Sequence, residues 1–198
     1  MKNHCLQIRV HGRGGQGVVT AAELIALAAF YDNKESQAFP FFGVERSGAP
    51  IMAFARISNN IIKTRERVYF PDFLIIQDAT LLDEDDILNG SHSSTKILVN
   101  STEDTQAIWN KLKEACKRNK QKLVIKPENI FACRATEIAM EIIGKNIVNT
   151  VILGALAKNS DLFSISALKK AVTEKFADKG KAILQKNITA ILKIYENK

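Results

Sequence analysis

The most constraining stretch of this chain is Gly12-Arg13-Gly14-Gly15-Gln16-Gly17, set between two segments of different period. Before it, Leu6-Gln-Ile-Arg-Val-His11 alternates apolar and polar residues, as a strand does. After it, Val18, Ala21, Ala22, Ile25, Ala28 and Ala29 recur at helical spacing. That segment is apolar nearly all round, as in a helix lying on a buried sheet. Glycines in such a turn let the backbone bend tightly and approach a phosphate, at the amide-rich end of the helix. Arg13 adds a charged donor. The spacing leaves three readings open: an anion or phosphate site, a purely structural turn, and a dinucleotide site of NAD type. The last expects an acidic residue closing the second strand, about 20 residues on. Glu35 lies near that distance but ahead of the strand-like Gln37–Phe42. No Gly-Lys-Ser/Thr follows, which excludes a Walker A loop.

Further along, Ile51–Ile57 reads as a strand, Ser58-Asn-Asn60 as a turn, and Ile61–Arg65 as the returning arm of a hairpin. Phe73–Ala79 and Lys96–Asn100 are short apolar runs of the kind covered on both faces. Glu103–Arg118 reads as a helix, and Lys122–Lys126 as a final strand stopped by Pro127. The rest has helical stripes. Phe131, Ala135, Ile138, Ala139 and Ile142 form the first, and Val148, Ile152, Ala155 and Leu156 the second. Leu184, Ile188, Ile191, Leu192 and Tyr195 form the third, and Ser164 or Ser166 is placed to cap the helix containing Leu168. The pattern predicts a three-layer α/β/α domain over residues 1–198, with a Rossmann-like, mostly parallel mixed sheet, a hairpin insertion and a helical C-terminal segment.

Composition narrows the function classes. No apolar run approaches the roughly 18–20 residues that span a bilayer, and the start lacks the pattern of a signal peptide. The expectation is a cytoplasmic protein with no membrane contact. Cys5, Cys116 and Cys133 are far apart and odd in number, with no zinc or iron–sulfur spacing, so no metal ligands are assigned. Residues 1–109 carry a net charge of −3 and residues 110–198 a net of +10. The lysines are spread over helical faces without interleaved aromatics, so nucleic acid is not expected as a partner. His4, His11 and His92 are scattered, and no catalytic residue is assigned. His11, beside the glycine turn, is read as a ligand contact or as a satisfied loop histidine.

A second unusual stretch is Gly43-Val44-Glu45-Arg46-Ser47-Gly48-Ala49-Pro50, after Phe39-Pro-Phe-Phe42. It suits a ligand or partner loop, with Arg46 reaching an anion, or a plain turn with a surface ion pair. Ile8–Ala28, with the glycine turn, and Gln37–Phe54, with this loop, resemble the gamma subunit of 2-oxoacid:ferredoxin oxidoreductases, in the pyruvate and 2-ketoisovalerate branch. Asp72–Asp78, Asn149–Ala157 and Lys175–Lys181 are also similar to patterns of that family.

The resemblance implies a subunit of a heteromeric enzyme. Such an enzyme decarboxylates a 2-oxoacid oxidatively, forms an acyl-coenzyme A and passes electrons to ferredoxin or flavodoxin. It implies alpha, beta and delta partner subunits that carry thiamine diphosphate, Mg and [4Fe-4S] clusters, with no cofactor bound by this chain alone. Coenzyme A is the ligand expected to touch it. Together with the spacing, it places an anionic group of coenzyme A at Gly12, Arg13, Gly14, Gly15, Gln16 and Gly17. Gly43, Val44, Glu45, Arg46 and Gly48 would meet the partner subunits or the cofactor region. The competing reading is a stand-alone NAD-type nucleotide-binding protein.

Overall fold

The structure is a computed structural model that describes residues 5–41, 48–84 and 86–197. The described strands are β1 (Leu6–Arg13), β2 (Glu35–Phe41), β3 (Pro50–Ser58), β4 (Phe73–Ile76), β5 (Lys96–Asn100) and β6 (Ile130–Cys133). They form one mixed sheet in the order β2-β3-β1-β4-β5-β6. β1, β4, β5 and β6 pair in parallel. β3 alone runs the other way, antiparallel to both β1 and β2. The α/β class expected from the sequence is therefore present, with the hairpin insertion made by β2 and β3.

That hairpin differs from the expected one. Ile61–Arg65 is not a strand. β3 has no free edge to offer it, because β1 takes one side and β2 the other. The segment instead crosses the face of the sheet, where Arg56 Nη2 donates to the carbonyl of Glu66 (2.6 Å) and Gln37 Nε2 to that of Thr64. The last strand also differs. Lys122–Lys126 is irregular, and the edge of β5 is taken by Ile130–Cys133, with Ile97 opposite Ile130. Pro127 opens a short 3-10 turn ahead of that strand, and Phe131 belongs to the strand, not to a helical stripe. Both segments carry a short apolar run, Leu123–Ile125 and Ile130–Cys133, and either could read as the edge strand.

Helices cover both faces. On the first lie α1 (Val18–Tyr31) and α4 (Val148–Asn159), with α5 (Ile165–Lys175) and α6 (Lys181–Glu196) packed outside them. α3 (Ala135–Ile138) continues into a π-helical turn, Ala139–Ile143, closed by Gly144. On the second face lie α2 (Thr105–Arg118) and a 3-10 turn, Ala79–Asp83. Ala21, Ala22, Ala28 and Ala29 of α1 meet Ala53 and Ala55 of β3, and these small side chains let the helix approach the sheet closely. Larger side chains such as Leu24, Ile25 and Ile75 fill the layer, each worth about 1.5–3 kcal/mol on burial.

Ser164, not Ser166, caps α5. Its Oγ accepts from the amide of Ala167 (3.1 Å) and donates to Asp32 (2.8 Å) at the end of α1. α6 is registered on α4 by a buried bond from Thr150 Oγ1 to Asn187 Oδ1 (2.6 Å).

Candidate functional site

The carboxyl ends of β1 and β4 lie side by side, and the chain leaves β1 toward one side of the sheet and β4 toward the other. That crevice is where open α/β sheets bind ligands. The glycine turn fills its rim. Gly12 has no room for a side chain, since a Cβ there would lie 2.5 Å from Val18 Cγ2. Gly17 has φ +70 and caps α1, and a Cβ there would fall 2.3 Å from Asn149 Nδ2. These two glycines let β1 turn into α1 and let α4 close on the turn.

The structure joins the turn to the following loop. Gly14 N donates to Ala49 O (2.9 Å) and Gly48 N to Gly14 O (3.2 Å). Gly43, Val44, Glu45 and Arg46 lie outside the described residues, so of that loop only Gly48 onward is placed. Arg13 spans both pieces. Its Nη1 donates to Gly48 O (3.2 Å), its Nη2 to Thr80 Oγ1 (2.7 Å), and its Nε lies 3.4 Å from Asp78 Oδ2. Gln16 bonds twice: its Oε1 accepts from Arg13 N (2.7 Å), and its Nε2 donates to Asp78 Oδ2 (2.9 Å).

Asp78 organises this network. Partial burial works to raise its pKa. The hydrogen bonds from Thr80 and Gln16, with the charge of Arg13, outweigh that and hold its carboxyl below the usual range. Asp78 and Thr80 received no role from the sequence. Their signal is positional: polar residues directly after a buried strand, at the ligand-binding end of the sheet.

The donors left over are backbone amides. Gly14 N and Gln16 N are engaged, but among the described residues the amides of Gly15 and Gly17 donate to no protein group. α1 has no side-chain cap and no acidic residue in its first turn. Beneath the turn lies Gln77, 1% exposed, and among the described residues neither polar atom of its side chain has a partner. Its Oε1 stands 3.1 Å from the place a Gly12 Cβ would occupy. An unbonded buried amide is costly, so Gln77 is the least satisfied polar group beneath the turn among the described residues.

His11 is not a loop residue. It lies within β1, two residues before the strand's end, facing the second side of the sheet, where Arg9 Nε donates to its Nε2 (2.9 Å). Burial, helped by the charge of Arg9, lowers its pKa to about 3, so it is neutral and already bonded. Glu35 is the first residue of β2, level with Ser58, at the opposite end of the sheet from the turn. It is therefore not the acid that a dinucleotide ribose would need. The three cysteines are free thiols, and no group of three or more metal-binding side chains occurs among the described residues. No described helix is long and apolar enough to cross a membrane.

Fold and crevice together define a Rossmann-like domain whose glycine turn is tied to a neighbouring loop, with no assembled reactive group among the described residues. Residues 7–197 match the family of pyruvate ferredoxin/flavodoxin oxidoreductases. The pyruvate synthase subunit PorC of Methanosarcina barkeri is 47% identical over 166 residues, 84% of each chain. The common gamma subunit of the pyruvate/ketoisovalerate oxidoreductases of Pyrococcus furiosus is 40% identical over 191 residues, 96% of each. The crystal structure of pyruvate oxidoreductase subunit PORC of Thermotoga maritima superposes with a TM-score of 0.77 at 32% identity, covering 99% of this chain and 97% of that one. The chain belongs to the pyruvate ferredoxin/flavodoxin oxidoreductase family, as a gamma-type subunit. The fold also recurs within the 2-oxoglutarate:ferredoxin oxidoreductase of Magnetococcus marinus, with a TM-score of 0.70 at 23% identity. There the chain spans 30% of the larger chain, whose structure holds 2-oxoglutarate, coenzyme A and succinyl-coenzyme A.

Proposed function

We propose that this chain is the coenzyme A-facing and assembly subunit of a pyruvate, or related 2-oxoacid, oxidoreductase acting in the cytoplasm. The complete enzyme would convert the 2-oxoacid and coenzyme A into an acyl-coenzyme A and carbon dioxide, passing electrons to ferredoxin or flavodoxin. Alpha, beta and delta subunits would carry thiamine diphosphate, Mg and the [4Fe-4S] clusters. For an iron–sulfur cluster the described residues offer no ligand set, since Cys5, Cys116 and Cys133 are separate free thiols. The thiamine chemistry would belong to the partner subunits, and this chain would act as one gamma-type domain over residues 1–198.

The observation that carries the reading is the uncapped start of α1 above the unpartnered Gln77. Free amides of Gly15, Gly17 and the first helical turn suit a phosphate, and Gln77 suits a group able both to donate and to accept. Coenzyme A has phosphates, hydroxyls and amides to offer. Gly12 and Gly14 would set the backbone, while Gln16 and Arg13 would align the turn with the loop Gly43, Val44, Glu45, Arg46 and Gly48. Because Asp78 takes up part of Arg13's charge, Arg13 would act mainly by holding turn and loop together.

The test is to purify the tagged chain anaerobically from its host and assay what accompanies it. The expected result is a thiamine diphosphate-binding pair and a cysteine-rich ferredoxin-like chain, with coenzyme A-dependent pyruvate oxidation. Recovery of the chain alone, without activity, would overturn the reading.

A further inference from the structure

At the end of the sheet opposite the glycine turn, a cavity of about 390 Å³ opens between the start of β1, the end of β3 and the segment after it. Arg56 forms part of its wall and is only 3% exposed. Its Nη2 donates to the carbonyls of Glu66 (2.6 Å) and Arg67 (3.2 Å), and its guanidinium lies 5.3 Å from the centre of the Phe39 ring. Among the described residues its Nη1, itself buried, has no partner. Carbonyls and a ring face solvate a cation without cancelling its charge. No carboxylate among the described residues forms an ion pair with Arg56. Glu66 is part of the same wall, but it is its backbone that bonds Arg56, and its carboxylate acts only from a distance.

A guanidinium keeps its proton when buried, and a buried charge without a counter-charge is costly. The cavity offers the place for one. Lys63, exposed at its rim, adds a second cation that has no ion partner among the described residues. Gln7, Ser58 and Thr64 add neutral polar groups to the wall. Arg56's charge also reaches Cys5 on the wall, where it partly offsets the rise that burial imposes on the thiol.

We propose that this cavity is an anion site, taking a carboxylate or a similarly small oxyanion against Arg56 with Lys63 at the rim. It stands apart from the glycine turn and does not rest on the function proposed there. The volume holds such a group together with several waters, each of which needs about 30 Å³. The oxyanion can be a free small molecule or an aspartate or glutamate side chain of a neighbouring subunit.

The experiment titrates the full-length chain separately with inorganic phosphate and with acetate, at ionic strength held constant with chloride. Backbone amide NMR signals of Ser58, Lys63 and Thr64 report binding. Saturable shifts are expected, weakened about tenfold by Lys63→Glu, an exposed position that leaves the fold intact. Arg56→Gln, checked for folding by circular dichroism, is expected to abolish saturation. The same titration on the assembled enzyme separates the two sources. A free anion site still binds the probe. A site filled by another subunit loses probe binding on assembly, and a carbodiimide then couples Lys63 to an acidic residue of that subunit. Shifts that do not saturate, or that survive both substitutions unchanged, overturn the proposal.

Discussion

The two faces of the central sheet are built on different physics. The face under α1 and α4 is a dry layer of alanines, leucines and isoleucines, among them Ala22, Leu24, Ile25, Ala53 and Ile75. The other face, toward β2 and β3, buries Arg9, His11 and Arg56, and is crossed by an irregular segment instead of a helix. There Arg9 bonds the carbonyl of Ile87 (2.9 Å) and the ring of His11, and burial lowers its pKa to about 10. The first face derives its stability from apolar packing. The part of the second face over β1 to β3 holds cations by directional bonds to neutral groups, unlike its apolar half under α2, so it should be softer and more sensitive to pH.

The largest effect that sharpens this contrast is expected from Leu24→Ala on the first face. It leaves a cavity in a packed layer, and a loss of about 2–5 kcal/mol should appear in urea unfolding. If that substitution cost less than truncations around Arg9, the contrast would be reversed.

The second effect is the pH dependence of stability. His11 titrates near 3 in the folded chain and near its ordinary 6.5 when unfolded. Between those values the unfolded state binds the extra proton, so stability is full above about 6.5 and falls as the pH drops toward 3. The slope should approach about 1.4 kcal/mol per pH unit. His11→Gln should remove about one proton's worth of that slope in unfolding curves collected from pH 7 to 4.5. An unchanged slope would mean that His11 is not buried as a neutral ring.

The smallest effect concerns the crossing segment. Arg67 lies over the rings of Phe41 (4.1 Å) and Tyr69 (5.8 Å). Arg67→Ala should reduce stability by only about 0.5–1 kcal/mol, but should speed hydrogen exchange of the amides from Thr64 to Tyr69. Unaltered exchange would show that other contacts hold the segment.

The same contrast explains how much could be read from the sequence. The first face was legible because its helix stripes and strand runs repeat at fixed periods, and the glycine turn announced where β1 ends. The segment after β3 was not, because Ile61–Arg65 has strand-like residues but no free edge to join. Only the pairing of β3 with both β1 and β2, over long separations, decides that. The same holds for Ile130–Cys133, which competes with Lys122–Lys126 for one edge of β5, each with a short apolar run. At the site, Gly12 to Gly17 were visible as a motif. Gln77 and Asp78 fall in the family-like stretch Asp72–Asp78, and with Thr80 they follow a buried strand, but their contacts reach more than 60 residues back in sequence, which no local pattern reveals.

The most direct test of the central claim is steady-state kinetics of the assembled enzyme carrying Arg13→Ala, with coenzyme A and pyruvate varied separately. If the turn and its loop present coenzyme A, the KM for coenzyme A should rise by about three- to tenfold, with kcat and the KM for pyruvate little changed. Arg13→Lys should restore part of the loss. An intact complex with an unaltered KM for coenzyme A would contradict the account and leave the glycine turn as a structural joint.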